Sequence, residues 1–296
     1  MSVDACGYLD QCARRVDQFL DGSLPAESVR PAELHRAMRY SLFAGGKRLR
    51  PALCLAAADA IGRPDDGRAL RAAAALECLH TYTLIHDDLP AMDNDELRRG
   101  RPTSHVMFGE ANAILAGDCL LTAAFEILAE CPAPPPRAPC AIALELARAA
   151  GSRGVAGGQY EDLAAETRPA DEATLRFIHT HKTAILIRAS CRMGGMAAGA
   201  EDDELEALGR YGDDIGLAFQ IADDVLDATS TPEQLGKNTG RDAENQKMTW
   251  VNMYGIEASR RQIRALTDSA VAALARFGPR GDTLRALAVL MSERKA

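Results

Sequence analysis

Between His86 and Pro102 the chain reads His-Asp-Asp-Leu-Pro-Ala-Met-Asp-Asn-Asp-Glu-Leu-Arg-Arg-Gly-Arg-Pro, with four aspartates and a glutamate inside ten residues and arginines directly after them. Leu84, Ile85 and Leu89 make the segment around the first aspartates otherwise apolar, so the carboxylates emerge from a stretch that has to be buried, where unpaired charge is expensive. One reading is a solvated helix end, which is what most charge runs are. The other is a hard cation such as Mg2+, shared between carboxylates, water and substrate phosphates, with the arginines suited to the same phosphates.

Gln220-Ile-Ala-Asp223-Asp224-Val-Leu-Asp227 decides between them. On a helix Asp223 and Asp227 stand four residues apart on one face, and Gln220 joins them. Leu217, Phe219, Ile221, Val225 and Leu226 make that helix too apolar for a solvated charged face. Two clusters of one form on two buried helices read as facing halves of a single cation site.

The rest of the chain fits a large helical core, with 47% hydrophobic residues, only 5% aromatic ones and few β-branched runs. A net charge of -8 argues against nucleic acid as a partner, which would need a basic face, so an anionic ligand has to be held by local cations and metal. Eight cysteines without CxxC or zinc spacing fit a reducing compartment, which implies a cytoplasmic protein. No signal-peptide pattern is visible at the start, and no apolar stretch reaches the roughly 18 residues that a membrane span needs.

Periodicity predicts a helix carrying the first cluster from Arg68 to Leu89, a largely apolar one from Gly109 to Glu130, one long helix from Asp171 to Ala198, and the second cluster on Glu204 to Ala228. No convincing strand is read. Pro90 breaks the first acidic helix, and the break matters. Six residues along a regular helix would set Asp87 and Asp93 about 120° apart, so the chain must turn back there for both to share a cation. Gly45-Gly46 ends an earlier helix and permits close backbone approach to a ligand, with Lys47, Arg48 and Arg50 following. It is not a Walker loop, because Ser41 and Arg48 stand where that motif needs Gly and Ser or Thr. The outcome is an all-α chain of ten or more helices, read as one domain over residues 1–296, with the clusters on antiparallel central helices.

DDxxxxD from Asp87 to Asp93, DDxxD from Asp223 to Asp227, and Gly45-Gly46-Lys47-Arg48-Leu49-Arg50-Pro51 together resemble the trans-isoprenyl diphosphate synthases, most closely the bacterial short-chain farnesyl diphosphate synthases. The likeness runs from about Leu34 to the C-terminus; three motifs in order make it specific, where a lone DDxxD would be weak. It implies an all-α isoprenoid-synthase bundle around a central active-site cavity. The implied reaction ionises an allylic diphosphate, lets the double bond of isopentenyl diphosphate attack the cation, and ends in proton loss. By the same resemblance Asp87, Asp88, Asp93, Asp223, Asp224 and Asp227 hold three Mg2+, with Mn2+ able to substitute, on the allylic diphosphate. Arg98, Lys182, Lys237 and Lys247 would bind that group. Gly46, Lys47, Arg50, His80 and Arg99 would form the isopentenyl diphosphate site, and Thr183 and Gln220 would face the carbocation. A homodimer is implied too, and the apolar Gly109 to Glu130 segment reads as buried or as a subunit interface.

Some of these residues also have ordinary readings. A lysine such as Lys182 inside an apolar helix usually snorkels, and a lone histidine on one usually fills the core. His80, two turns before Asp87, shares its face, which favours a ligand role. Product length falls to Tyr82 and Thr83, which precede the aspartates on the same helix. In the resembling family an aromatic at this position, with two extra residues in the first motif, goes with a C15 product and smaller residues with C20. Tyr82 lies about 140° from Asp87 on the wheel and must reach with its ring, whereas Thr83 is nearer. Farnesyl diphosphate is the expected product and geranylgeranyl diphosphate the alternative. A class I terpene cyclase would not need the Gly45–Pro51 segment or Arg99, a non-catalytic synthase subunit would be expected to lose aspartates, and a purely structural bundle leaves the clustered charge unexplained.

Overall fold

The computed structural model describes residues 3–63, 67–130, 139–166, 168–169, 171–229 and 248–293. In chain order its helices are α1 (Ala5–Ser23), α2 (Ala32–Leu42), α3 (Leu49–Ile61), α4 (Arg68–Asp87), α5 (Ser104–Phe108), α6 (Glu110–Ala129) and α7 (Pro139–Ala150). They continue as α8 (Val155–Ala165), α9 (Glu172–Ile178), α10 (Ile185–Ala197), α11 (Asp202–Thr229), α12 (Trp250–Tyr254), α13 (Ile256–Ala273) and α14 (Asp282–Ser292).

Which helices lie at the centre follows from how apolar they are all round. From Pro51 to Ile61, α3 exposes only Asp59, so it has no polar face to turn to water and is central. It packs on α4 and α10, and α10 in turn lies on α11. The α3–α10 crossing is close enough that a Cβ on Gly194 would stand 1.9 Å from the Cys54 carbonyl oxygen. Outer helices are amphipathic. In α1 one face buries Leu9, Cys12, Val16 and Leu20, and each large aliphatic side chain there contributes roughly 1.5–3 kcal/mol.

A buried ion pair ties the glycine-rich loop to this core. Arg48, with left-handed φ 45, is 3% exposed; it donates to Glu77 Oε1 at 2.6 Å, Asp17 Oδ1 at 2.9 Å and the Leu42 carbonyl at 2.6 Å, joining α1, α2 and α4.

Four features depart from the sequence reading. The single helix expected from Asp171 to Ala198 is interrupted by a π-helical segment, His179–Ala184, between α9 and α10. A short antiparallel ribbon, β1 (Leu97–Arg98) and β2 (Arg101–Pro102), stands where no strand was expected, because two-residue strands leave no alternating pattern to read. Two five-residue helices, α5 and α12, were also not foreseen. Finally, α6 is long and apolar enough to cross a membrane by length and composition, which corrects the expectation that no stretch reaches that length. Its inner face is packed on α4.

Candidate active site

The end of α4 builds the first cluster. Pro90 cannot continue the helix, and the chain folds back: the Asp93 amide donates to the Asp87 carbonyl at 2.9 Å and the Asp95 amide to that of Asp88 at 3.2 Å, with Asn94 at φ 51. Asp93 is thus returned beside Asp87. Asp88 turns inward instead. Only 3% exposed, it accepts from Arg98 Nε at 2.8 and 2.9 Å and from Nη2 at 2.5 Å.

The second cluster on α11 divides in the same way. Asp224 is buried and accepts from the Trp250 amide at 2.7 Å and from Gln220 Nε2 at 3.2 Å. All six aspartates are expected to hold metal; in the structure the second member of each pair, Asp88 and Asp224, is engaged by protein donors. The charge of Asp223 acts on Arg50.

Lys182 stands between the clusters. From the π segment its Nζ donates to Asp162 Oδ2 on α8 at 2.6 Å, and the two residues line a pocket of about 110 Å³ with Thr183, Gln220 and Asp224. Lys182 also acts on Asp87. Burial pushes the Asp87 carboxyl up to about 6, with Lys182 opposing the rise and Asp93 reinforcing it. A lysine near one cluster and lining a pocket with a member of the other is not snorkelling to solvent.

A separate group of cations gathers around Gly46. In β1 Arg98 points to Asp88, and the next two residues, Arg99 and Gly100, form a two-residue turn with both φ positive, 53 and 71. Such turns favour Asn-Gly, so an arginine in this one is held in a sparsely populated conformation. The turn lays the Arg99 guanidinium against Gly46, where an added Cβ would lie 2.5 Å from its Nη1. Arg50 Nη1 meets His80 Nε2 at 3.1 Å; burial and the Arg50 and Arg99 charges hold His80 well below its ordinary pKa, so the ring is neutral and accepts. Burial also pushes Arg50 down to about 10, opposed by Glu77 and Asp223. Arg50 Nε is buried with no hydrogen-bond partner among the described residues, a donor suited to an incoming anion. Lys47 is exposed on the same loop.

Tyr82 and Thr83 diverge. Thr83 donates its hydroxyl to the His80 carbonyl at 2.8 Å within α4. Tyr82 sets its ring edge-on to His86, centroids 5.0 Å apart, and His86 approaches the Ile114 carbonyl to 3.1 Å over Gly117 of α6. Lys237 and Lys247 lie outside the described residues. Sequence reasoning gave no role to Asp162, His179, Glu77 or Trp250. Asp162 follows Gly157-Gly158, and Gly158 sits where a Cβ would be 2.3 Å from the Lys182 amide; that glycine pair was the only available signal.

The donor set fits a hard divalent cation: oxygen ligands only, with a carboxyl whose raised pKa reflects burial beside other carboxylates. Among the described residues no group of three or more His, Cys, Asp or Glu side chains could hold a metal ion by itself, so a cation held by these carboxylates would need further oxygen ligands, as from water or a substrate.

Comparison with known proteins agrees with this geometry. The pattern of the polyprenyl synthetase family matches residues 31–275. The chain is 44% identical over 265 residues, 88% of its length and 71% of the relative's, to the heterodimeric geranylgeranyl pyrophosphate synthase large subunit 1, chloroplastic, of Arabidopsis thaliana. Its fold is similar to that of an FPP/GFPP synthase from Zymomonas mobilis, with TM-score 0.85, 39% identity and 97% and 98% of the two chains covered. It is similar also to a geranyltransferase from Helicobacter pylori complexed with magnesium and isoprenyl diphosphate, with TM-score 0.83, 33% identity and 97% of each chain covered.

The Asp87 shift has a consequence for stability. A carboxyl raised from 3.8 to about 6 binds its proton more tightly in the folded state, so its contribution is complete below 3.8 and lost as pH rises through about 6. In the metal-free protein the melting temperature should fall across that window, and Asp87→Asn should melt higher than wild type above it. An Asp87→Asn protein that melts no higher than wild type at about pH 8 would contradict the placement of this carboxylate.

Proposed function

The chain belongs to the polyprenyl synthetase family and is a prenyltransferase, and from that premise we propose a Mg2+-dependent enzyme that joins isopentenyl diphosphate head-to-tail to dimethylallyl or geranyl diphosphate, giving mainly farnesyl diphosphate. The observation that supports this reading is two separate charged groups, carboxylates around Lys182 that would take a diphosphate through Mg2+, and the Arg50–His80–Arg99 group around Gly46 that would take one directly. A terpene cyclase, with one diphosphate, would have no use for the second.

The barrier to this reaction is charge separation at the allylic carbon. Mg2+, three ions by the family likeness and replaceable by Mn2+, supplies Lewis acidity to the departing diphosphate when bound. Asp87, Asp93, Asp223 and Asp227 would hold the ions, while Asp88 and Asp224, fixed by Arg98 and by Trp250 and Gln220, keep their neighbours aimed. Lys182 and Arg98 add fixed positive charge to the same group in a water-poor cleft, with Lys237 and Lys247 from the segment after α11. Lys47, Arg50, His80 and Arg99 bind the second diphosphate over Gly46. Thr183 and Gln220 turn oxygen toward the developing cation.

Tyr82, propped by His86, supports a C15 product. The likeness to a geranylgeranyl pyrophosphate synthase supports the second reading, a C20 product. We propose the whole chain as one cytoplasmic prenyltransferase domain that works as a homodimer. The support for the dimer is an apolar surface on α5 and α6, where Val106, Met107, Ile114 and Leu115 are 42–53% exposed.

Mass spectrometry of the products should show farnesyl diphosphate as the main species and a longer one from Tyr82→Ala. Mainly C20 from wild type, or an unchanged Tyr82→Ala distribution, would reject the chain-length reading and leave the transferase. Light scattering should find a particle of twice 31.7 kDa; a 31.7 kDa particle alone at micromolar concentration would reject the dimer.

A further inference from the structure

We infer that His179 is a positioning residue that sets which way the Thr183 hydroxyl points, acting through Asp224 and Gln220. The inference rests on the preceding assignment of Thr183 and Gln220 to the carbocation.

Four side chains form an ordered series. Thr183 Oγ1 donates to Gln220 Oε1 at 2.7 Å, Gln220 Nε2 donates to Asp224 Oδ1 at 3.2 Å, and His179 Nε2 lies 3.4 Å from Asp224 Oδ2, which also accepts from the Trp250 amide at 2.7 Å. The direction is fixed at the carboxylate. An ionised aspartate only accepts, so Gln220 must present its amide nitrogen to Asp224 and its carbonyl oxygen to Thr183. That carbonyl takes the Thr183 hydrogen, and the lone pairs of the hydroxyl are left to face elsewhere. Were Gln220 reversed, its carbonyl would meet a carboxylate and Thr183 would have to turn.

His179 belongs to this series on its own geometry. It is 4% exposed, and its Nδ1 is buried with no hydrogen-bond partner among the described residues. Among the described residues the polar contact given for the ring is Asp224, and the proton is assigned to Nε2 because a lone pair there would face the carboxylate. Asp162 and Lys182 are the other charged groups that act on it. Trp250 stacks on it with centroids 6.1 Å apart. A buried polar ring with one nitrogen unsatisfied costs free energy. An apolar side chain of similar size would avoid that cost, which makes the contact with Asp224 its use.

The π segment supplies both ends of the series, His179 and Thr183, and two glycines allow it to be clamped. A Cβ on Gly158 of α8 would lie 2.3 Å from the Lys182 amide, and one on Gly216 of α11 would lie 2.6 Å from Ala184 Cα. The segment is thus held at fixed height against Gln220 and Asp224 on α11. Irregular π turns of this kind recur at functional sites.

The test is steady-state kinetics of the full chain with Mg2+, geranyl diphosphate and isopentenyl diphosphate. Substituting a residue that orients a ligand-bearing group costs about 10- to 100-fold, so His179→Phe, and likewise the shorter His179→Asn, should lower kcat at least about tenfold. The KM for isopentenyl diphosphate, which binds elsewhere, should stay within about twofold. His179→Gln, whose amide nitrogen reaches near the place of the imidazole Nε2, should recover most of the rate. In a Thr183→Val background the His179→Phe effect should largely vanish, because both act through one hydroxyl.

Wild-type kcat in both His179→Phe and His179→Asn overturns the inference, as do equal losses in Phe and Gln variants or losses that multiply with Thr183→Val. Full activity of Thr183→Val alone overturns the carbocation assignment and the inference with it. No prenyl transfer by the wild type overturns the proposed reaction itself.

Discussion

Asp87 and Asp93 are fastened side by side by a 2.9 Å backbone hydrogen bond, at a place where burial already disfavours charge. The charge of Asp93 then raises the cost of ionising Asp87 further. The surroundings answer with cations in fixed positions: Arg98 locked on Asp88, and Lys182 locked on Asp162 from the other side of the cleft. Neither removes the excess, because each is already matched to a carboxylate of its own. The remaining demand for positive charge is what a divalent ion would meet, and much of the fold serves to keep that demand in place.

The basic side follows the opposite rule. Arg48 is the arginine of the glycine-rich loop that looks, in sequence, as available as its neighbours, yet it is spent on Glu77, Asp17 and a carbonyl. Removing one partner of such a buried pair is strongly destabilising, on the order of 3–5 kcal/mol, so Arg48 is a structural pin. Because it holds the loop to α4, Arg50 reaches His80 and Gly46 is presented to Arg99. The tight turn at Arg99 completes the division of labour: successive arginines reach Asp88 and Gly46 from one small ribbon.

What was legible in the sequence was whatever repeats or breaks a pattern. Two aspartate runs on apolar helices pointed to the candidate site, and Pro90 with the helical wheel gave the need for a reversal that the Asp93 to Asp87 bond satisfies. Orientation was not legible. Nothing in two adjacent aspartates says that Asp88 and Asp224 turn to protein donors, since that depends on Arg98 and Trp250 arriving from other elements. The π segment was hidden because His-Thr-His-Lys-Thr-Ala suits an ordinary helix, and only the pressure of α8 and α11 on it differs. His179 was overlooked for the same reason: its one informative neighbour is 45 positions away in sequence, at Asp224.

The most direct test of the central claim is calorimetric titration of an unreactive allylic diphosphate analogue into the protein, once with Mg2+ and once with EDTA. If the carboxylates hold ions that in turn hold the diphosphate, binding should be at least about tenfold weaker in EDTA, a loss above roughly 1.4 kcal/mol. Equal affinity in the two conditions would mean that Lys182 and the arginines bind the diphosphate unaided, and would contradict the aspartates' role as holders of the metal.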